Sequence, residues 1–170
     1  VERTGDPAIP LRDYPKPEPD ACMIVEGVPL LKQHPVIFFG DGGSGKSLLA
    51  LYLAGTLQAG GMRVLFCDWE YTGEAHRERL ARLFGEQNMP KLHYLSCSKP
   101  LVHELDRIKR CVAQHDIDYL VFDSVGYASD GPPESAEVAT AYMRSVRQIG
   151  RGSLHVAHVT KGDGGDEKPF

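Results

Sequence analysis

The stretch Val36 to Gly55, VIFFGDGGSGKSLLALYLAG, constrains this chain more than any other. An apolar run feeds directly into Gly40–Ser47, where glycine fills four of eight positions and a single lysine stands near the end. A helical pattern begins where the glycines stop. A buried strand, a tight glycine loop and a helix N-terminus in direct succession make an anion cradle. Glycines permit positive φ and leave room for backbone N–H groups to converge on a charged ligand. The helix that follows adds its own free N–H groups and the positive end of its dipole.

The loop is a full match to GxxxxGK[ST]. Gly40, Asp41, Gly42, Gly43, Ser44, Gly45, Lys46, Ser47 and Leu48 form the expected phosphate-binding set. Lys46 reaches the terminal phosphates as a point charge. The Ser47 hydroxyl is a candidate ligand for Mg2+. No guanine-reading NKxD motif is present, so ATP is favoured over GTP.

The rest of the chain repeats the strand–helix alternation. Apolar runs at Val36–Phe39, Val64–Cys67, Leu92–Leu95, Leu120–Phe122 and Leu154–Val159 mostly lack strict alternation, as strands buried on both faces do. Helices are expected from Lys46 to about Ala59, from Glu74 to Phe84, after Pro100, and after Pro132-Pro133. Gly60-Gly61, Gly85 and Gly150 offer stops. This rhythm predicts an α/β fold: a doubly wound, mostly parallel sheet flanked by helices. Residues 22–170 form the expected core. Residues 1–21, with Pro7, Pro10, Pro15, Pro17 and Pro19 among charges, form an extended lead-in. The chain begins with Val and stops at KPF, so both ends read as cuts and the core as truncated at its C-terminal end.

Composition narrows the partners. The 170 residues suit one domain, and 42% apolar with 25% charged residues is ordinary for a soluble protein. A net charge of −4 argues against a stand-alone nucleic-acid binder. Cys22, Cys67, Cys97 and Cys111 make no CxxC pair, and the histidines make no HxxxH pair, which argues against zinc and fits reduced thiols in a cytoplasmic protein. No run approaches the ~20 apolar residues of a membrane span. Glu2, Arg3 and Asp6 precede any hydrophobic run, unlike a signal peptide, and no membrane partner is expected.

Three further positions carry chemistry. Tyr119-Leu-Val-Phe-Asp123 is an apolar strand ending in an acid, placed to hold magnesium through its waters. Leu65-Phe-Cys-Asp68-Trp-Glu70 ends the strand after the loop helix, on the edge that faces the nucleotide. If the chain stays extended there, Asp68 and Glu70 point to the same side, with Glu70 further out. His158, near the end of a late strand, stands on that same edge as either a ligand contact or a satisfied core histidine.

The order GDGGSGKS, DWE, LVFDS, AHVTK resembles the RecA-like P-loop ATPases, nearest the RepA-type hexameric helicases and related ATPases of plasmids and phages. The resemblance covers about Val28 to Phe170. It implies that Glu70 is the catalytic base and His158 the γ-phosphate sensor. It implies an arginine or aromatic packed on adenine, with Arg77 the nearest candidate. It implies a homo-oligomeric ring or filament, and two segments facing single-stranded DNA, Gly126–Pro133 and Thr160–Phe170. The first of these has no Lys or Arg; the second sets two lysines against three acids. Tyr127 could stack on a base, and Lys161 is a candidate intersubunit cation. The trans-acting arginine of these rings is not identifiable in the chain.

The leading expectation is therefore MgATP hydrolysis coupled to work on DNA. A P-loop kinase is a second reading, disfavoured by the short links after the Asp123 strand, which offer little lid. An ATP-gated switch or loader with slow turnover is a third, favoured by the weak charge of the two DNA-facing segments.

Overall fold

The computed structural model describes residues 10–13, 16, 21–158, 160–161 and 167–168. Most of the expected lead-in lies outside them; within it, Leu11–Asp13 forms one turn of 3-10 helix.

Five parallel strands make the central sheet: β3 (Pro35–Gly40), β4 (Val64–Asp68), β5 (His93–Ser96), β6 (Tyr119–Asp123) and β7 (Gly152–His158). Their order across the sheet is β3-β7-β6-β4-β5. The apolar runs become strands because both faces are covered. Every residue of β4 and of β6 is buried. Alternate side chains serve opposite layers. Phe66, Tyr119 and Val121 pack with α1 (Lys46–Ala59) and α2 (Gly73–Phe84). Leu65, Cys67, Leu120 and Phe122 pack with α3 (Leu101–Gln114) and α5 (Ala136–Ile149).

Within this second layer, His155 of β7 is fully buried against Phe122. It is hydrogen-bonded to Tyr142 Oη at 2.7 Å and Ser153 Oγ at 2.8 Å. Burial lowers its pKa to about 3, so the ring is neutral and pins α5 to the sheet.

Some elements go beyond the sequence expectations. A hairpin, β1 (Cys22–Val25) and β2 (Val28–Leu31), precedes the sheet and inserts Leu30 into the α1 layer. Its two-residue turn has positive φ at Glu26 (50°) and Gly27 (80°), as the strand twist requires. A short helix, α4 (Val125–Ala128), follows Asp123 directly. It replaces the first part of the segment expected to be a DNA-facing loop, leaving Tyr127 exposed and Ala128 in the core.

The late strand ends at His158. Beyond it a short antiparallel pairing joins β8 (Thr160–Lys161) to β9 (Glu167–Lys168). The other residues of the second expected DNA-facing segment, and all its side chains, including that of Lys161, lie outside the described residues. No helix among the described residues is long and apolar enough to cross a membrane.

Candidate active site

Strands β3, β4, β6 and β7 run parallel, so their carboxyl ends, and the residues that follow, gather at one edge. Gly40 pairs with His158, and Asp68 with Asp123. This register places the phosphate loop, Glu70 and His158 at one cleft of about 450 Å³, with Asp68 and Asp123 buried at the strand ends. Gly43, Ser44, Gly45, Lys46, Ser47 and Leu48 line the cleft together with Glu70 and His158.

The loop is built to receive an anion. Gly43 (φ 74°) and Gly45 (φ 83°) hold left-handed conformations that an L side chain resists, and added Cβ atoms would meet nothing within 4 Å. Gly45 is the N-cap of α1 and supplies no side-chain cap, and the first turn contains no acid. The first N–H groups of α1 are thus free of the usual cap and its negative charge. Lys46 Nζ lies over the loop, donating to Gly40 O (2.8 Å), Asp41 O (2.6 Å) and Ser44 Oγ (3.3 Å).

Asp123 and Ser47 come together as the motif spacing requires. Ser47 Oγ donates to Asp123 Oδ1 at 3.0 Å. The carboxylate is fully buried, and its Oδ2 has no partner. Burial pushes the Asp123 pKa up to about 6; the Ser47 hydrogen bond opposes this, while Glu70 and Asp68 reinforce it. An orphaned buried carboxylate oxygen beside a serine hydroxyl fits a hydrated magnesium ion.

Asp68 differs from the expectation that it would accompany Glu70 into the cleft. The chain bends immediately after β4, and Asp68 turns inward to hold that bend. Its carboxylate accepts from Glu70 N (3.0 Å), Tyr71 N (3.1 and 3.2 Å to its two oxygens) and Tyr94 Oη (2.8 Å). His76 Nε2 lies 3.2 Å from Oδ2, at ion-pair distance but not aligned for a hydrogen bond. Burial alone would raise the Asp68 pKa; the adjacent His76 ring, together with the Glu70, Tyr71 and Tyr94 donors, outweighs it and holds it below the usual carboxylate range. Asp68, His76 and Asp123 place ligand-type atoms within 4.8 Å of one another. Donors already surround the Asp68 oxygens, so the trio reads as a bracing cluster and not as a second metal centre.

Glu70 is thereby set on a fixed turn. Ser124 Oγ, fully buried, donates to Glu70 Oε1 at 2.8 Å. His158 Nε2 lies 3.5 Å from the same oxygen. Glu70 is 15% exposed and His158 37%, so both reach the cleft from partial shelter.

Arg77 does not enter this cleft. It pairs with Glu86 and lines a different cavity, with Leu80, Met89 and Tyr94. The α2 side chains that line the nucleotide cleft are Arg79, Arg82 and Leu83, together with Tyr71 from the bend. The Arg79 guanidinium lies 4.1 Å over the Tyr71 ring, and Arg82 is held by Glu78. The available signal was helical phase: positions 79, 82 and 83 share a face, whereas 77 is two residues off it. Ser124, also missed, is flagged only by its place beside Asp123.

A family model described as an AAA domain matches residues 7–164. Among curated proteins no significant match to the chain is found.

Proposed function

The chain belongs to the AAA domain family, within the P-loop ATPases, and from that premise we propose that it hydrolyses MgATP and couples the reaction to work on DNA in a homo-oligomeric ring or filament. The observation that carries the hydrolytic part is Glu70: its carboxylate is held by Ser124 and its backbone N–H by Asp68, and it lines the same cleft as an uncapped helix N-terminus.

Each residue has a distinct task. The amides of Gly43 to Leu48 and the Lys46 ammonium hold the β- and γ-phosphates. Ser47 and Asp123 would hold magnesium, which would supply positive charge to offset that building on the phosphate oxygens. Glu70 accepts a proton from water and orients it for in-line attack. Ser124 keeps one Glu70 oxygen occupied, which aims the other. His158 stands where it can meet the γ-phosphate and Glu70 together, and so report the loss of the former to the latter. Tyr71, Arg79 and Arg82 form the end of the cleft suited to a base, through stacking and cation–π contact.

The resemblance to RepA-type helicases supports DNA as the partner and a cytoplasmic setting. An ATP-gated switch keeps one observation in its favour: Gly126–Pro133 contains no Lys or Arg. Phosphate release, measured with no acceptor and with or without single-stranded DNA, separates the readings. Several-fold stimulation by DNA is the expected result. Tight ATP binding with negligible turnover in both conditions would select the switch, and turnover only with an added acceptor would select the kinase.

A further inference from the structure

At the edge of the sheet opposite the phosphate loop, where β3 and β7 begin, lies a second concavity of about 790 Å³. Its polar lining comes from three separate parts of the chain: Gln33 and His34 from the β2–β3 link, Lys109 from α3, and Arg147, Gln148 and Arg151 at the end of α5. No acidic side chain among the described residues lines it. Among the described residues, none of Lys109, Arg147 and Arg151 has an ion-pair partner. Arg144 is exposed one turn earlier on the same stripe of α5. The whole chain is net acidic, so this concentration of positive charge is local.

Basic residues at a helix C-terminus complement its dipole. That accounts for Arg147 taken alone. It does not account for Lys109, which arrives from another helix and shares only a 3.5 Å hydrogen bond with Gln148. Nor does it account for the amide and imidazole groups that converge from the β2–β3 link. Arg151 is anchored by its Nε to Ile117 O (3.0 Å) and its Nη1 to Gly150 O (3.1 Å), which fixes the guanidinium in place with Nη2 to spare. Guanidinium and ammonium groups with amide donors between them match the charge and hydrogen-bonding capacity of successive phosphodiesters.

We propose that this concavity binds the phosphate backbone of a single-stranded nucleic acid, away from the ATP site and from the segments after β6 and β7. It deepens the reading of DNA as partner, yet it stands on charge and shape alone. It is therefore tested without turnover, and each can fail while the other stands.

The test uses the full chain without nucleotide and follows the anisotropy of a labelled oligothymidylate at low salt. Binding is expected to weaken with salt at a log–log slope of roughly −0.7 per phosphate contacted, or about −2 for three contacts. Lys109→Glu with Arg147→Glu is expected to weaken binding at least tenfold, with an unchanged melting temperature and unchanged basal phosphate release. Lys91→Glu with Lys99→Glu makes the same change in net charge elsewhere and is expected to stay within twofold of the original chain. Equal affinity in the two double variants, or no oligothymidylate binding at low salt, overturns the proposal. Competition by polyglutamate or inorganic tripolyphosphate as strong as that by unlabelled oligothymidylate, at equal charge, overturns the assignment to nucleic acid.

Discussion

Strands β4 and β6 lie side by side and end in paired aspartates, yet the two carboxylates live in opposite circumstances. Asp68 is surrounded by donors, and its pKa is lowered. Asp123 has one donor, one orphaned oxygen and a pKa raised to about 6. Both are closed to solvent, so exposure does not distinguish them. The difference lies in what each faces. The bend after β4 folds back and presents its N–H groups to Asp68, whereas Asp123 faces the loop where a cation would sit. A satisfied buried acid holds the fold together; a half-satisfied one marks where the fold expects a ligand.

That contrast makes quantitative demands. Replacing Asp123 by Asn should lower hydrolysis by about 10²-fold or more, because a charge that serves magnesium and the phosphates is lost. Its melting temperature at pH 7 should hold or rise, since a charge whose burial is unfavourable is removed. A variant that hydrolyses normally would place Asp123 in the same structural class as Asp68. Asp68→Ala should act the other way, costing about 3 kcal/mol of stability by leaving the Glu70 and Tyr71 N–H groups without an acceptor and the Tyr94 hydroxyl with only its longer bond to Tyr71 O. Chemical denaturation would show it, and a loss below the measurement error would remove the bracing role.

Acidity should affect the pair in opposite senses. Asp123, with its pKa raised, binds protons in the folded chain that the unfolded chain has already released. Its penalty is therefore present at pH 7 and is relieved as pH falls from about 6 towards 4. Asp68, with its pKa lowered, contributes stability above its unfolded value and loses it as pH falls through its folded one. The proposed magnesium role requires Asp123 to be ionised. The KM for MgATP should rise about tenfold per pH unit below 6, and a flat profile to pH 5 would contradict this. The smallest effect belongs to Tyr94→Phe, which removes one of the several donors to Asp68 and should cost about 1 kcal/mol. Equilibrium unfolding that shows as large a loss as Asp68→Ala would mean that the tyrosine, not the aspartate, organises the bend.

Much of this is legible in the sequence because the ligand dictates residue types. Phosphate chemistry requires glycines and a lysine at set spacing, and Gly40–Ser47 has them. The five core strands were legible because strands buried on both faces, such as β4 and β6, must be apolar throughout. The β1–β2 hairpin was not: its strands are four residues each, partly exposed, and joined by Glu26-Gly27 in place of a recognisable Asn-Gly. The expectation that Asp68 and Glu70 share a side depends on an extended chain, and the chain bends right after the last strand residue. Arg77 was chosen by nearness in sequence, while helical phase brings Arg79 and Arg82 to the cleft. Side-chain partnerships such as Ser124 with Glu70, 54 positions apart, leave no local trace in sequence.

The role of Glu70 is tested most directly by Glu70→Gln, which keeps size and hydrogen bonding while removing the base. Equilibrium ATP binding and single-turnover phosphate release would be measured on the same preparation. The geometry predicts ATP affinity within about threefold of the original chain and phosphate release slowed by about 10²-fold or more. Phosphate release at the original rate would contradict the assignment of Glu70 as the base.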